Sequence, residues 1–261
     1  MKKEDPGIDM DVLLKAAERA GEAILDVYAQ DFEVETKKDQ SPLTEADRRA
    51  NTVILDALQE HYPNIPVISE ETKSVPFEQR RDWKWFWLVD PLDGTKEFIK
   101  KNGEFTVNIA LIHGDTPWAG VVYQPVAAKF YFAARGRGAF RRMGTQAPEP
   151  IHGGGHYTTK DAVTVVASRS HLTAEVETFV QRLRAAGKKV EFLSAGSSLK
   201  LCLVAEGAAD VYPRLGPTME WDTAAAHCIA AEADRNVLDF HTRSPLAYNK
   251  QDLLNPWFIV E

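Results

Sequence analysis

Cysteine is nearly absent: among 261 residues only Cys202 and Cys228 occur, both inside apolar stretches of helical spacing. Two such thiols cannot build a disulfide framework, so the core has to hold the fold, and a reducing compartment is expected. Long apolar runs are missing too. No segment approaches the roughly 20 apolar residues needed to cross a bilayer, and the opening Met1-Lys2-Lys3-Glu4-Asp5-Pro6 is too polar for a secretory signal. A cytoplasmic location is the expectation. Positive charge is scarce: 31 Lys and Arg against 38 Asp and Glu leave a net charge of −7. That balance speaks against a nucleic-acid polymer as partner and leaves a single anionic metabolite open. There is no low-complexity segment and no repeat of fixed period. What remains, 44% hydrophobic and 26% charged residues, is the composition of a globular enzyme long enough to bury a sizeable core.

The most informative stretch is Trp87-Leu88-Val89-Asp90-Pro91-Leu92-Asp93-Gly94-Thr95. The aromatic and β-branched run Trp85 to Val89, closed by Pro and Gly, predicts a buried strand with the carboxylates at its exit. Pro91 stiffens the bend and Gly94 permits a close backbone approach, so Asp90 and Asp93 can point into one small volume. Like charges held that close need a cation or a proton between them. A hard divalent ion with oxygen ligands is the natural choice, Mg²⁺ if phosphate oxygens complete its shell. The alternative is an ordinary Asp-Pro-x-Asp-Gly surface turn. Ile65 to Ser69 is a second short strand delivering acids, Glu70-Glu71, at its end. They are either surface glutamates before a loop or, with the neighbouring strand ends, the third corner of the same site.

Along the chain, Asp9 to Gln30 has the apolar spacing of an amphipathic helix, and Phe32 to Thr36 alternates like a strand. Thr44 and Asp47 have the spacing of a capping box at the head of a second helix, so Asp47 is open to a purely structural reading. Thr106 to Ile112, Trp118 to Tyr123, Lys129 to Ala134 and Ala139 to Arg141 form strands with short connections, hence an antiparallel meander. Gly136-x-Gly138 falls between two of them and reads as a hairpin turn. The Pro-, Gly- and His-rich segment from Thr145 to Thr159 is the expected boundary between an α+β lobe, residues 1–150, and an α/β lobe, residues 151–261. His152 and His156 fit a loop better than a metal site. Beyond it strands and helices alternate: strand 162–167, helix 173–186, strand 190–193, helix 197–208, strand 210–212 and a nearly all-apolar helix 222–233. Asp222 at the head of that last helix is either an N-cap or a carboxylate facing a metal, and the two roles are compatible.

Together, Glu70-Glu71, Asp90-Pro91-Leu92-Asp93-Gly94-Thr95 and Trp221-Asp222-Thr223-Ala224-Ala225 resemble the two signatures of the inositol monophosphatase superfamily of Mg²⁺-dependent, lithium-sensitive phosphatases. The resemblance runs from the first helix to Trp257. The segments Gly103 to Ala110 and Gly196-Ser197-Ser198-Leu199-Lys200 are similar to its bisphosphate nucleotidase branch. It implies an α/β class fold, an α+β half joined to an α/β half. The layers are those of the αβαβα sandwich of the inositol monophosphatase and fructose-1,6-bisphosphatase type. It also implies that Glu70, Asp90, the Leu92 carbonyl, Asp93 and Asp222 hold roughly two or three Mg²⁺ ions, with Li⁺ as inhibitor. One ion would acidify a water and another would stabilise the leaving oxygen. Asp47, Thr95 and Glu70 are the implied catalytic residues, Asp47 accepting from the Thr95 hydroxyl, which orients the nucleophilic water. Leu92, Asp93, Gly94, Thr95, His171, Ser197, Lys200, Arg214 and Asp222 are the implied substrate contacts.

Lys200, Arg214 and His171 are cations where inositol-specific relatives carry neutral or acidic groups, which suggests a second phosphate. Without the resemblance, Lys200 would be a solvent-facing helix residue and Arg214 a salt-bridge partner. The expected reaction is hydrolysis of the 3′-phosphate of adenosine 3′,5′-bisphosphate, a by-product of sulfate assimilation, to AMP and phosphate. A broad inositol or sugar phosphatase and a non-catalytic nucleotide-binding regulator are the alternatives. Relatives sit loosely at the inner membrane surface, but the acidic balance and the lack of a basic amphipathic helix give that no support here. Oligomeric state is left open. The last helix is followed by Glu232-Ala233-Asp234-Arg235-Asn236, without the usual glycine, so Asp234 or Asn236 is expected to take the left-handed turn.

Overall fold

The computed structural model describes residues 6–36, 42–72, 75–167 and 173–261. The chain begins with α1 (Met10–Tyr28), capped by Asp9, whose side chain accepts from the Asp11 amide. A ribbon of β1 (Glu35–Thr36) and β2 (Pro42–Leu43) leads to α2 (Glu45–His61), β3 (Val67–Ser69), the short α3 (Phe77–Arg80), β4 (Trp85–Asp93) and α4 (Thr95–Ile99). The meander follows as β5 (Thr106–His113), β6 (Thr116–Gln124), β7 (Lys129–Ala134), β8 (Ala139–Met143) and β9 (Glu149–Ile151). Next come β10 (Ala162–Ala167), α5 (Ala174–Ala185), β11 (Lys189–Ser194) and α6 (Leu199–Ala205). The chain finishes with β12 (Tyr212–Arg214), α7 (Glu220–Glu232), β13 (Val237–Asp239) and β14 (Phe258–Val260).

Strands β3 to β9 lie in sequence order in one seven-stranded sheet, with β3 parallel to β4 and the meander antiparallel. Parallel β10 and β11 meet the three-stranded set β12-β14-β13 through a bridge between Val165 and Val211. Side chains alternate across β4. Trp87 and Val89 pack with Leu13, Ile24, Ile54 and Leu58 of α1 and α2. Phe86 and Leu88 pack with Leu201, Ala225 and Ile229 of α6 and α7. Both faces are covered, which is why β4 reads as one continuous apolar run rather than an alternating one. On the far side of α6 and α7 lie Tyr212, Val237 and Phe258 of the second sheet, whose outer face buries Val163 and Val165 against Val180 and Leu183 of α5. The layers are therefore α/β/α/β/α.

Several expected elements shift. Only Glu35–Thr36 of the alternating 32–36 segment is strand. The carboxylates Asp90 and Asp93 lie within β4 rather than beyond its end. The expected boundary segment contains β9, which completes the first sheet. Helix α6 starts at Leu199 instead of Ser197, because Ser197 has φ 57, a left-handed value incompatible with a helix. The strand expected at 210–212 is centred two residues later, and β13 and β14 are too short to leave a periodic signal. The turn after α7 uses Asp234, at φ 61, in place of glycine. Cys202 and Cys228 are buried free thiols in α6 and α7. Among the described residues no helix is long and apolar enough to cross a membrane.

The first sheet and α7 meet backbone to backbone at Gly120, where a Cβ would stand 2.4 Å from the Ala225 carbonyl oxygen. A Gly120→Ala substitution must push α7 off the sheet. We expect it to lower stability by about 1–3 kcal/mol, read from the thermal midpoint, while Gly216→Ala, with open space at its Cβ, changes it little. A second expectation concerns His227, buried on α7 with its Nδ1 2.9 Å from the Tyr248 hydroxyl. Burial lowers its pKa from 6.5 to about 4. The unfolded chain then binds the extra proton first, so stability is complete above pH 6.5 and declines as pH falls toward about 4. This decline amounts to roughly 3 kcal/mol at most. Denaturant titrations of His227→Gln should show a flatter pH slope across that window; an unchanged slope would assign the acid sensitivity elsewhere.

Candidate active site

Three local features bring the acids together. The parallel register of β3 and β4 sets Ser69 beside Val89, and the Glu70 amide donates to the Val89 carbonyl at 3.1 Å, so Glu70 emerges next to Asp90. The antiparallel ladder of β4 and β5 pairs Asp90 with Asn108 and then Asp93 with Thr106. Pro91 and Leu92 thus oppose the single residue Val107, a bulge that re-aims the strand end. Pro91 has no N–H to lose there, and the Leu92 amide donates to Asp90 Oδ1 at 3.1 Å. Gly94, at φ 89, then turns the chain into α4, a conformation that glycine adopts without strain.

The third feature comes from the other half of the chain. Asp222 is not the N-cap of α7; Met219 is. From the third helical position, Asp222 Oδ2 reaches back to accept from the Met219 amide at 2.9 Å. Oxygens of Glu70, Asp90 and Asp222 then all lie within 4.8 Å of one another. Asp90 is buried, and its pKa is pushed well up, first by burial and then by the charges of Glu70, Asp93, Asp222 and Asp47. Asp222 is raised by burial and by Asp93 and Glu70, against the opposing pull of Arg214. A close set of carboxylates, Asp90 buried and Glu70 and Asp222 half-buried, with oxygen donors alone, fits a hard divalent cation.

Asp93 stands slightly apart. Its charge is felt by both Asp90 and Asp222, but its Oδ2 is taken by the Ser197 hydroxyl at 2.7 Å and the Ser198 amide at 2.6 Å. The capping box at α2 is present: Asp47 Oδ2 accepts from the amide and hydroxyl of Thr44 at 2.7 and 2.6 Å. Its other oxygen, Oδ1, lies 3.5 Å from the Thr95 hydroxyl, which is also 3.5 Å from the Leu92 carbonyl oxygen. One oxygen of Asp47 thus serves the cap while the other faces Thr95.

Asp93, Gly94, Ser197, Lys200, Arg214 and Asp222 line one cleft of ≈ 500 Å³. Lys200 is no solvent-facing helix residue: it is 8% exposed, donates to the Ser197 carbonyl at 2.7 Å and lies over the Tyr212 ring. Arg214 donates to the Pro217 carbonyl at 2.8 Å and its charge opposes the rise of the Asp222 pKa; among the described residues it forms no salt bridge. His171 lies outside the described residues. His152 and His156 are away from the acids, paired near Asp234 and Glu261.

Two contributions escaped the sequence reading. Lys96 and Lys100 line the cleft from α4; the helix is too short to show a polar face. Glu220, wholly buried beside Asp222 in sequence, is held by Lys250 Nζ at 2.6 Å and by the amides of Asn249 and Lys250 at 2.7 and 3.0 Å. Its partners are about thirty residues away along the chain, beyond the reach of any local pattern.

The comparisons with known proteins agree with this geometry. The model of the inositol monophosphatase family matches residues 9–257. The 3′(2′),5′-bisphosphate nucleotidase CysQ of an Escherichia coli strain is 47% identical over 256 residues, 96% of this chain and 98% of that protein. The CysQ protein of Haemophilus influenzae is 35% identical over 250 residues, covering 95% and 90%. The crystal structure of CysQ from Bacteroides thetaiotaomicron superposes with a TM-score of 0.86 at 46% identity, covering 98% of both chains. An inositol monophosphatase from Thermotoga maritima, at 22% identity and a TM-score of 0.76, shares the fold. With a family model spanning nearly its whole length and the acidic motifs of that family converging in space, the chain belongs to the inositol monophosphatase family.

Proposed function

We propose that this chain is a Mg²⁺-dependent 3′(2′),5′-bisphosphate nucleotidase that hydrolyses the 3′-phosphate of adenosine 3′,5′-bisphosphate to AMP and phosphate. The observation that carries the reading is one cleft lined both by carboxylates of the acidic cluster, suited to cations that would take one phosphate, and by the side chains of Lys200 and Arg214, suited to another. A substrate with two phosphates on one ribose uses both sets; a monophosphate uses one. The relatives at 35–47% identity carry this activity in their names.

Glu70, Asp90, the Leu92 carbonyl, Asp93 and Asp222 would hold the Mg²⁺, roughly two or three ions. When bound, Mg²⁺ supplies positive charge for the phosphate oxygens and the leaving oxygen and makes a water more acidic. The chain's own part is proton handling and orientation. Thr44 engages Asp47 Oδ2, and Oδ1 faces the Thr95 hydroxyl and would accept its proton. Thr95 Oγ1 is then an acceptor that orients the attacking water, and Glu70, the third catalytic residue, would act from the acidic cluster it shares with Asp90 and Asp222. The amides that open α4 after Gly94 have no partner within the helix and suit phosphate oxygens. Lys200 and Arg214, with His171, hold the second phosphate at a distance from the reacting one. Li⁺ inhibits by competing for the acidic cluster.

Phosphate release from adenosine 3′,5′-bisphosphate and from inositol 1-phosphate, with and without Mg²⁺ and Li⁺, tests this. We expect kcat/KM for the bisphosphate to exceed that for inositol 1-phosphate by about tenfold or more, roughly 1.4 kcal/mol of differential binding. Equal rates would point to a broad phosphatase, and no release with Mg²⁺ to a nucleotide-binding regulator. The acidic cluster yields a second expectation. Asp90→Asn removes a buried charge that its neighbours oppose, so in EDTA the variant should melt higher than the unchanged chain while having no phosphatase activity with Mg²⁺. A lower melting point would contradict the repulsion.

A further inference from the structure

Strand β5 is buried from Thr106 to Ile112, and Thr106 and Asn108, 0% and 1% exposed, are the polar residues of that stretch. Buried polar groups need partners, and these two sit opposite Asp93 and Asp90 in the ladder. The Ser197 hydroxyl donates to Asp93 Oδ2 at 2.7 Å, with the Asp93 carbonyl oxygen 3.1 Å away, so its single proton is spent on Asp93. The Ser198 hydroxyl spends its own on Asn108 Oδ1 at 2.8 Å. That bond fixes the Asn108 amide with Nδ2 toward Asp93 Oδ2, at 3.5 Å. Thr106 Oγ1, 2.6 Å from the Ser197 hydroxyl and 2.9 Å from that of Ser198, must then be the donor, its single proton serving one of the two at a time. Ser197 and Asn108 thus both end on the same oxygen, where the Ser198 amide also donates at 2.6 Å.

We infer that Thr106, Asn108 and Ser198 are positioning residues that immobilise Asp93 through Oδ2 and dedicate its other oxygen to the cation. Among the described residues no hydrogen bond engages Oδ1. Bonds that reach one oxygen from both halves of the chain tie the bulge of β4 to the segment before α6. Ser197 is where they meet. It is held at a left-handed φ of 57, a conformation that persists in a non-glycine residue only when its surroundings enforce it. Its carbonyl accepts from Lys200 Nζ at 2.7 Å. The cation-binding carboxylate and a cation of the proposed second-phosphate end are thus one residue apart.

This inference rests on the proposed metal-dependent reading, and the experiment separates the two. Thr106→Val keeps the shape and removes the donor, Ser198→Ala removes the bond to Asn108, and Thr106→Ser keeps the hydroxyl. Each full-length variant is titrated with Mn²⁺ by electron paramagnetic resonance, melted in EDTA, and assayed for phosphate release at saturating Mg²⁺. We expect Thr106→Val and Ser198→Ala to bind Mn²⁺ about 10- to 100-fold more weakly, the usual loss when an outer-shell partner is removed, with Thr106→Ser close to the unchanged chain. If Thr106→Val does not fold, Ser198→Ala carries the measurement. A drop in melting temperature with unaltered Mn²⁺ affinity would make the cluster merely structural and overturn the inference alone. An unchanged chain that binds no Mn²⁺ and releases no phosphate would overturn the proposed function with it.

Discussion

Mutual repulsion among closely placed carboxylates, buried or half-buried, is the constraint on which the rest of this structure depends. Glu70, Asp90 and Asp222 present oxygens within 4.8 Å of one another, and Asp93 and Asp47 add their charges to Asp90. Left to themselves such groups would separate or take up protons. They stay together because each is carried by an element whose position is decided by other interactions. Glu70 is fixed by a parallel strand pair, Asp90 and Asp93 by a bulge opposite β5, and Asp222 by a helix whose sides are buried.

The backing of α7 shows how such a carboxylate is held. Behind its first turn, Glu220 forms a buried pair with Lys250. Asn249 donates to Glu220 through its amide and accepts from Arg80 Nη1 at 2.7 Å. Arg80, buried in α3, also donates to the Val75 and Gln251 carbonyls at 3.2 and 3.1 Å. One polar network therefore connects the segment that follows the Glu70 strand to the helix that carries Asp222. Burial raises the Glu220 pKa, but Lys250 and the two amides oppose it, whereas burial and every neighbouring charge raise that of Asp90. The contrast separates a carboxylate paired within the fold from one that a cation would suit.

Short motifs repeatedly hold two duties in this chain. Asp47 caps α2 with one oxygen and faces Thr95 with the other. Asp222 bonds the Met219 amide and still joins the acidic cluster. Asp93 gives one oxygen to Ser197 and Ser198. In each case a carboxylate is oriented by a local or distant donor, so its other oxygen has a direction before any ligand arrives. Such preorganisation keeps the cost of reorienting the site out of the reaction.

Elements with a strong period or a short-range chemical rule were legible in the sequence: α1, the capping box of α2, the meander and the alternation around β10, α5 and β11. The motif at Asp90 to Thr95 exposed the acids because an apolar strand running into two carboxylates is rare without a reason. Other features depended on residues far apart in the chain. The partners of Glu220, the donors to Asp93 and the burial of Lys200 arise only when α6, α7 and the 247–255 loop close on the first sheet. Strands of three residues, such as β13 and β14, are held by their neighbours rather than by their own propensity. Amino-acid order by itself determined which side chains carry charge and which local elements present them, since periodicity and capping act over a few residues. Tertiary structure alone decided which carboxylate oxygens meet and which are already engaged, because that depends on distances set by packing between segments that do not know of each other along the chain.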